Sequence, residues 1–192
     1  MKRRVLLAAV GAALLAGCGK QDSDKPAAAA GAAPVSLERI AAEAKGFSVG
    51  STVSAHVAYV FFDAQCPHCA ALWEAAKPLK PQARFVWIPV ALLGDKSIAQ
   101  GAAILAGADP VASMEQNEAS LRQQQGGISA MGVPDVQKEA VRHNTQLFTA
   151  FGFGGVPTVV AKHAQTGELV IVDGALPTAS LAQKLGLTPP GG

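Results

Sequence analysis

Cys66 and Cys69 stand two residues apart in "FFDAQCPHCAALW", with Pro67 and His68 between them. Two sulfurs at this spacing can hold a metal, anchor a haem, staple a loop or exchange electrons. Haem attachment requires a histidine directly after the second cysteine, and Ala70 stands there. A structural zinc site requires four ligands. The chain has no second close cysteine pair, and His56, His68, His143 and His163 show no ligand-like spacing. A purely structural disulfide would close so small a loop that its effect on chain entropy is slight. Copper(I) handling by Cys66, Cys69 and His68 stays open as an alternative, because soft thiolates favour that ion.

Redox exchange fits the surroundings best. "HVAYVFFD" (56–63) is a continuous β-branched and aromatic run, suited to a strand buried on both faces. The cysteine motif follows at once and opens a helix. Cys66 then lies at a helix N-terminus, where unpaired amides and the helix dipole favour a thiolate, the nucleophile of disulfide exchange. Cys69, one turn in, is expected to be more buried and to resolve the mixed disulfide. Pro67 helps start the helix, and His68, when protonated, adds positive charge beside the Cys66 sulfur. Asp63 is a candidate to tune Cys69, or equally a turn residue at the strand end. A thiolate at Cys66 stabilises the reduced pair and makes its disulfide more oxidising. No diffusible cofactor is needed, because the Cys66–Cys69 pair carries the electrons.

The elements that must position this pair can be read on either side. Residues 36–46 predict a helix with Ser36 as N-cap and Gly46 as stop. Pro78 should end the helix that the cysteines open. Residues 84–92 predict a second strand, in which Pro89 marks an irregularity or an unpaired edge. From 96 to 151 the pattern turns helical, with Asp109 capping a helix that has Pro110 at its first position. Strands return at 156–163 and 168–174 as a hairpin around "AQTG", and a last helix stops at Gly186. Phe61, Phe62, Trp73 and Trp87 read as core. The order is strand, helix, strand, helices, hairpin, helix: an α/β chain with a helical insertion at about 95–152.

The composition sets outer limits. The 192 residues are 49% hydrophobic but only 5% aromatic, with a formal charge of +2. Neither a basic surface nor aromatic–basic interleaving points to nucleic acid. The start, "MKRRVLLAAVGAALLAGC", has three basic residues and then an apolar run too short to span a membrane, as in a signal peptide. Without residues 1–17 the basic count falls from 16 to 13 against 14 acidic residues, a net charge of −1. "LAGC" resembles the lipobox of bacterial lipoproteins, which implies lipidation of Cys18 and leaves Cys66 and Cys69 as a pair. Gly19, where aspartate favours inner-membrane retention, leans toward the outer membrane, facing the periplasm. Residues 18–34 read as lipidated cysteine and flexible tether, whose polar and Ala/Pro-rich part of about 16 residues reaches roughly 20–25 Å. Residues 35–188 form the folded domain and 189–192 a tail.

"GGVPT" (154–158) stands at the head of a strand after the helical block. With "FFDAQCPHCAALWEAAKPL", "AAILAGADP", "NEASL" and "GGVPTVV", residues 56–187 resemble the catalytic domain of the periplasmic DsbC/DsbG thiol:disulfide interchange proteins, DsbG above all. The resemblance implies a thioredoxin fold with an inserted helical subdomain. It also implies a dithiol site acting on cysteines of exported proteins, and a redox partner in the membrane. It carries over Cys66 as nucleophile, Cys69 as resolving cysteine and Pro157 as the cis-proline, with the Val156 backbone turned toward Cys66 to pair with substrate like an added strand. Two departures stand out. Only 37 residues separate Cys18 from His56, too few for the family's N-terminal dimerisation domain, so a monomer is expected. Val156 replaces the family's threonine, and Cys-Pro-His-Cys is DsbA-like. Both point to an oxidoreductase whose direction family membership does not fix.

Overall fold

The computed structural model describes residues 31–191. The expected signal peptide, the lipidated Cys18 and most of the tether therefore lie outside the described residues. Five strands form one sheet: β1 (Phe47–Gly50), β2 (Val57–Asp63), β3 (Arg84–Val90), β4 (Thr158–Lys162) and β5 (Leu169–Asp173). Their order is β1-β3-β2-β4-β5. β2 and β3 run parallel in register Val57↔Arg84 to Asp63↔Val90, and every other pair is antiparallel. The parallel pair is joined by a crossover containing α2 (Pro67–Ala76), as parallel strands require.

Alternation along the central strands sends side chains to two cores. Val60 and Phe62 of β2 and Phe85 and Trp87 of β3 face one side, with Leu72 and Trp73 of α2 and Leu181 of α6 (Thr178–Leu185). Trp87 sits edge-on to Trp73 at 4.8 Å and to Phe62 at 5.7 Å. Phe61, Ile88 and Val160 face the other side, against Ile40 of α1 (Leu37–Glu43) and Leu147 and Phe148 of α5 (Asp135–Ala150). All four aromatics read as core are buried to 1% exposure or less. Each such side chain contributes about 1.5–3 kcal/mol by burial.

Between β3 and β4 lie α3 (Asp95–Ala106), α4 (Pro110–Arg122) and α5. The Asp109 carboxylate caps α4 by accepting from the Val111 and Ala112 amides, and Pro110 stands in its first turn. Pro78 falls where α2 gives way to a 3-10 turn (Lys77–Leu79). β1 pairs only with Arg84–Trp87, so that side of β3 has no strand beside Pro89. The proline therefore sits in an interior strand without breaking a ladder there.

One expectation needs correction. Ser36 caps α1 by accepting from the Arg39 amide, but the helix ends at Glu43 with Ala44 already extended. Gly46 is not the stop. A Cβ on it would lie 2.4 Å from the Trp87 carbonyl oxygen, so glycine is required for the chain to enter β1 against β3. β1 itself was not foreseen. Its four residues bury Phe47 and Val49 alternately.

Candidate active site

β2 ends at Asp63, and the turn Ala64-Gln65 delivers Cys66 to the N-cap of α2. The Cys66 amide donates to the Asp63 carbonyl (3.0 Å), and the Cys66 carbonyl accepts from the amides of Cys69 (3.0 Å) and Ala70 (3.3 Å). Pro67, in the first turn, has its φ fixed and wastes no amide. Pro67 and His68 are exposed. Cys66 keeps only 6% exposure and Cys69 none, and both are free thiols.

The two sulfurs differ sharply in acidity. A hydrogen bond from the Cys69 thiol does most to lower the Cys66 pKa, to about 6. Burial opposes it, while the amides of Cys69 and His68 and the charge of His68 assist. The expected charge of His68 is thus the smallest of these causes; the neighbouring thiol and the helix amides outweigh it. Burial pushes the Cys69 thiol strongly upward, and its bond and repulsion with Cys66 add to this. The arrangement makes Cys66 the thiolate and keeps Cys69 protonated.

Across from the helix start lies the loop before β4. The Val156–Pro157 peptide is cis. The Cys66 Sγ stands 3.6 Å from the Val156 carbonyl oxygen. Val156 is half-buried and Pro157 buried. The loop is held by the Thr158 hydroxyl, which donates to the Gly155 carbonyl (2.6 Å), and by the Gly174 amide, which donates to the Pro157 carbonyl (2.8 Å).

Asp63 has a structural role that its position at the strand end only hinted at. One carboxylate oxygen accepts from the Gln65 amide (2.8 Å), and the other from the amides of Leu92 (2.8 Å) and Leu93 (3.0 Å). Its own amide donates to the Cys69 sulfur at 3.5 Å. It thus holds the active-site turn against the chain leaving β3, where Leu92 and Leu93 are exposed.

Four further residues were not singled out from the sequence. The Gln65 side-chain amide donates to Gln100 of α3, and Gln100 in turn donates to the carbonyls of Gly126 (2.8 Å) and Ile128 (2.9 Å). Asn117 of α4 donates to the Ala64 carbonyl (2.9 Å), and Glu118 beside it is fully buried. The stretch "NEASL" had drawn attention only by resemblance. Nothing in the local pattern of that helix marks the pair as buried. Among the described residues, no group of three or more His, Cys, Asp or Glu side chains stands in a metal-holding arrangement. No helix among them is long and apolar enough to cross a membrane.

No protein-family model matches the sequence. The chain is 28% identical over 145 residues to the thiol:disulfide interchange protein DsbG of Pseudomonas aeruginosa, covering 71% of this chain and 54% of the relative. It is 32% identical over 111 residues to DsbG of Escherichia coli, covering 54% of this chain and 42% of the relative. The chain thus spans about half the length of the curated relatives it matches. Among solved structures, the catalytic domain of Proteus mirabilis ScsC superposes with a TM-score of 0.61 at 18% identity, covering 78% of this chain and 92% of that one. A periplasmic thioredoxin-like protein from Salmonella enterica gives 0.59 at 20% identity, covering 73% and 88%. The fold is therefore thioredoxin-like, and in sequence the chain is DsbG-like.

Proposed function

We propose that this chain is a periplasmic thiol:disulfide oxidoreductase that exchanges a Cys66–Cys69 disulfide with cysteines of exported proteins. One observation carries the reading. A thiol with its pKa lowered to about 6 stands at the N-cap position of a helix, with a buried and far less acidic thiol one turn behind it. That pairing divides the labour of exchange. Cys66 attacks or is attacked, and Cys69 leaves or resolves. The Val156 carbonyl, 3.6 Å from the Cys66 sulfur, offers a main-chain acceptor to an extended substrate segment beside the reacting atoms. Leu92 and Leu93 add apolar surface next to the turn.

The dithiol carries the electrons, so the site works without a diffusible cofactor. In this reading Cys18 is lipidated, the domain hangs by its tether from a membrane, with the outer membrane favoured, and it works as a monomer recharged by a membrane redox partner. The test is direct. Cys66→Ala should abolish exchange with a reduced protein substrate, and Cys69→Ala should trap mixed disulfides. Exchange that survives in Cys66→Ala would overturn the assignment. Cys18→Ala should release the protein from the membrane fraction.

A further inference from the structure

The loop that faces Cys66 is held by few polar contacts. Among the described residues, only two hydrogen bonds reach the stretch from Phe153 to Val156. The Cys66 sulfur meets the Val156 carbonyl at 3.6 Å, and the Thr158 hydroxyl donates to the Gly155 carbonyl at 2.6 Å. The half-buried side chains of Phe153 and Val156 pack on the core at either end. Between them Gly154 and Gly155 anchor nothing. A Cβ on either would meet no atom within 4 Å, and neither has a positive φ. Nothing in the fold requires glycine there, and two in a row leave the backbone between them free to turn. Thr158 is placed quite differently. It is the first residue of β4, fully buried, opposite Phe61 of β2 on one side and Asp173 of β5 on the other. Its hydroxyl is thus offered from a fixed position in the sheet. Two acceptors are in reach, and distance decides between them: Asp173 Oδ1 at 3.3 Å lies beyond the ordinary O–H···O range, and the Gly155 carbonyl at 2.6 Å lies within it.

We infer that Thr158 is a positioning residue for substrate capture: by holding the Gly155 carbonyl it aims the Val156 amide at the incoming polypeptide. The inference rests on the exchange reading above. The Gly155 carbonyl and the Val156 N–H belong to one peptide group. That group is planar and trans, so its two ends point in opposite directions. A hydroxyl that fixes the first end fixes the second. The Val156 amide has no hydrogen-bond partner among the described residues, and the carbonyl of the same residue lies beside the Cys66 sulfur. Val156 therefore has both main-chain groups to give to one residue of an extended segment, as in a hydrogen-bonded antiparallel pair. Without the hydroxyl, the two glycines let the peptide rotate away. Ordering it then falls to the binding step and weakens capture. The role lies in binding and leaves the exchanging sulfurs untouched.

The experiment uses the full chain with Cys18→Ser, so that only Cys66 and Cys69 react. Thr158→Val keeps the branched shape of the strand residue and removes the hydroxyl. Turnover of a reduced two-cysteine peptide, with glutathione disulfide recharging the pair, gives KM and kcat. In Thr158→Val the KM should rise roughly three- to tenfold, the worth of one hydrogen bond. The kcat should stay within about twofold, the signature of lost binding rather than lost chemistry. Thr158→Ser, which restores the hydroxyl, should restore the KM. The thiolate midpoint of Cys66 should not move, since none of the causes that set it lies on this loop. An unchanged KM, a serine variant that fails to rescue, or a midpoint that shifts together with KM overturns the inference. Should Thr158→Val not fold, hydrogen exchange decides in its place, with Thr158 intact. A pyridyl-activated cysteine peptide is joined to Cys66 in Cys69→Ala, and the Val156 amide should then exchange about tenfold more slowly than in the free protein. Equal rates refute the proposal. If the parent chain does not turn over the peptide at all, the exchange reading fails, while the joined peptide still shows whether the Val156 amide is taken up.

Discussion

Replacing Cys69 by alanine should raise the pKa of Cys66 more than replacing His68 does. The Cys66 pKa lies at about 6 against an ordinary value of 9.0, a displacement worth about 4 kcal/mol in all. At pH 7 such a thiol is about nine-tenths thiolate, where an unperturbed one is about one-hundredth. The hydrogen bond from Cys69 is the largest cause of the lowering, and the charge of exposed His68 the smallest. Cys69→Ala should therefore lift the midpoint by about one unit or more, leaving about half the sulfur ionised at pH 7. His68→Ala should move it by only a few tenths. The assay is the rate of iodoacetamide alkylation against pH. With Cys18 replaced by serine it reports Cys66 alone even when Cys69 is present, because Cys69 is fully buried and its thiol is strongly weakened as an acid. Raising the pKa also raises intrinsic nucleophilicity, so the high-pH plateau of Cys69→Ala should exceed that of wild type. A midpoint that stays near its starting value in Cys69→Ala but climbs in His68→Ala would refute the ordering of causes.

Other outcomes follow from the same geometry. The unfolded chain binds more protons at Cys66 than the folded one between about pH 6 and 9, so the reduced protein should gain stability over the oxidised as pH rises through that window. The gain should be about 1.4 kcal/mol at pH 7 and peak at about 3 near pH 9, above which it falls again because Cys69 ionises in the unfolded chain but stays protonated in the fold, measured by paired urea titrations. Glu118 acts with the opposite sign. Its folded pKa lies above 4.5 at about 7, so it contributes roughly 3 kcal/mol that is present below the lower value and lost as pH rises through the upper, a loss that Glu118→Gln should remove. Asp63→Ala strips a buried carboxylate that accepts three amides and should cost about 3 kcal/mol or more in chemical denaturation. Leu92→Ser with Leu93→Ser should raise the KM for a reduced, unfolded polypeptide several-fold while leaving exchange with glutathione unchanged; an equal effect on both would remove these leucines from substrate contact.

What the sequence disclosed and what it hid divide along physical lines. The cysteine pair, Pro67 and Pro157 are legible because their chemistry is written into residue type: a thiol is a nucleophile wherever it stands, and a proline constrains its own backbone. The buried strands at Val57–Asp63 and Arg84–Val90 declared themselves by unbroken β-branched and aromatic runs. β1 stayed hidden because four residues carry little periodicity and Gly46 imitates a helix stop. The reason for that glycine is the Trp87 carbonyl, which belongs to another strand. Gln100, Asn117 and Glu118 stayed hidden for the same kind of reason. Burial of a polar side chain depends on what folds over it, and local pattern carries no trace of that.

Those hidden residues also explain why the helical insertion is more than an ornament on the sheet. The turn from Asp63 to Cys66 must aim the first amides of α2 at a sulfur, and a turn free to rock would spend that alignment on entropy. Three of its residues are tied outward to the segment between β3 and β4. Asp63 holds the amides of Leu92 and Leu93, Ala64 is held by Asn117, and Gln65 is held by Gln100. The far ends of the last two ties are joined to one another, since Ile128 donates to Asn117 and accepts from Gln100. Gly127, at φ +93°, leaves room for both side chains, which a Cβ would meet at 2.5–2.9 Å. The acidity of Cys66 is therefore set by two structures at once. The helix supplies the Cys69 thiol, the largest cause, and then the amides, and the insertion holds the turn that carries Cys66.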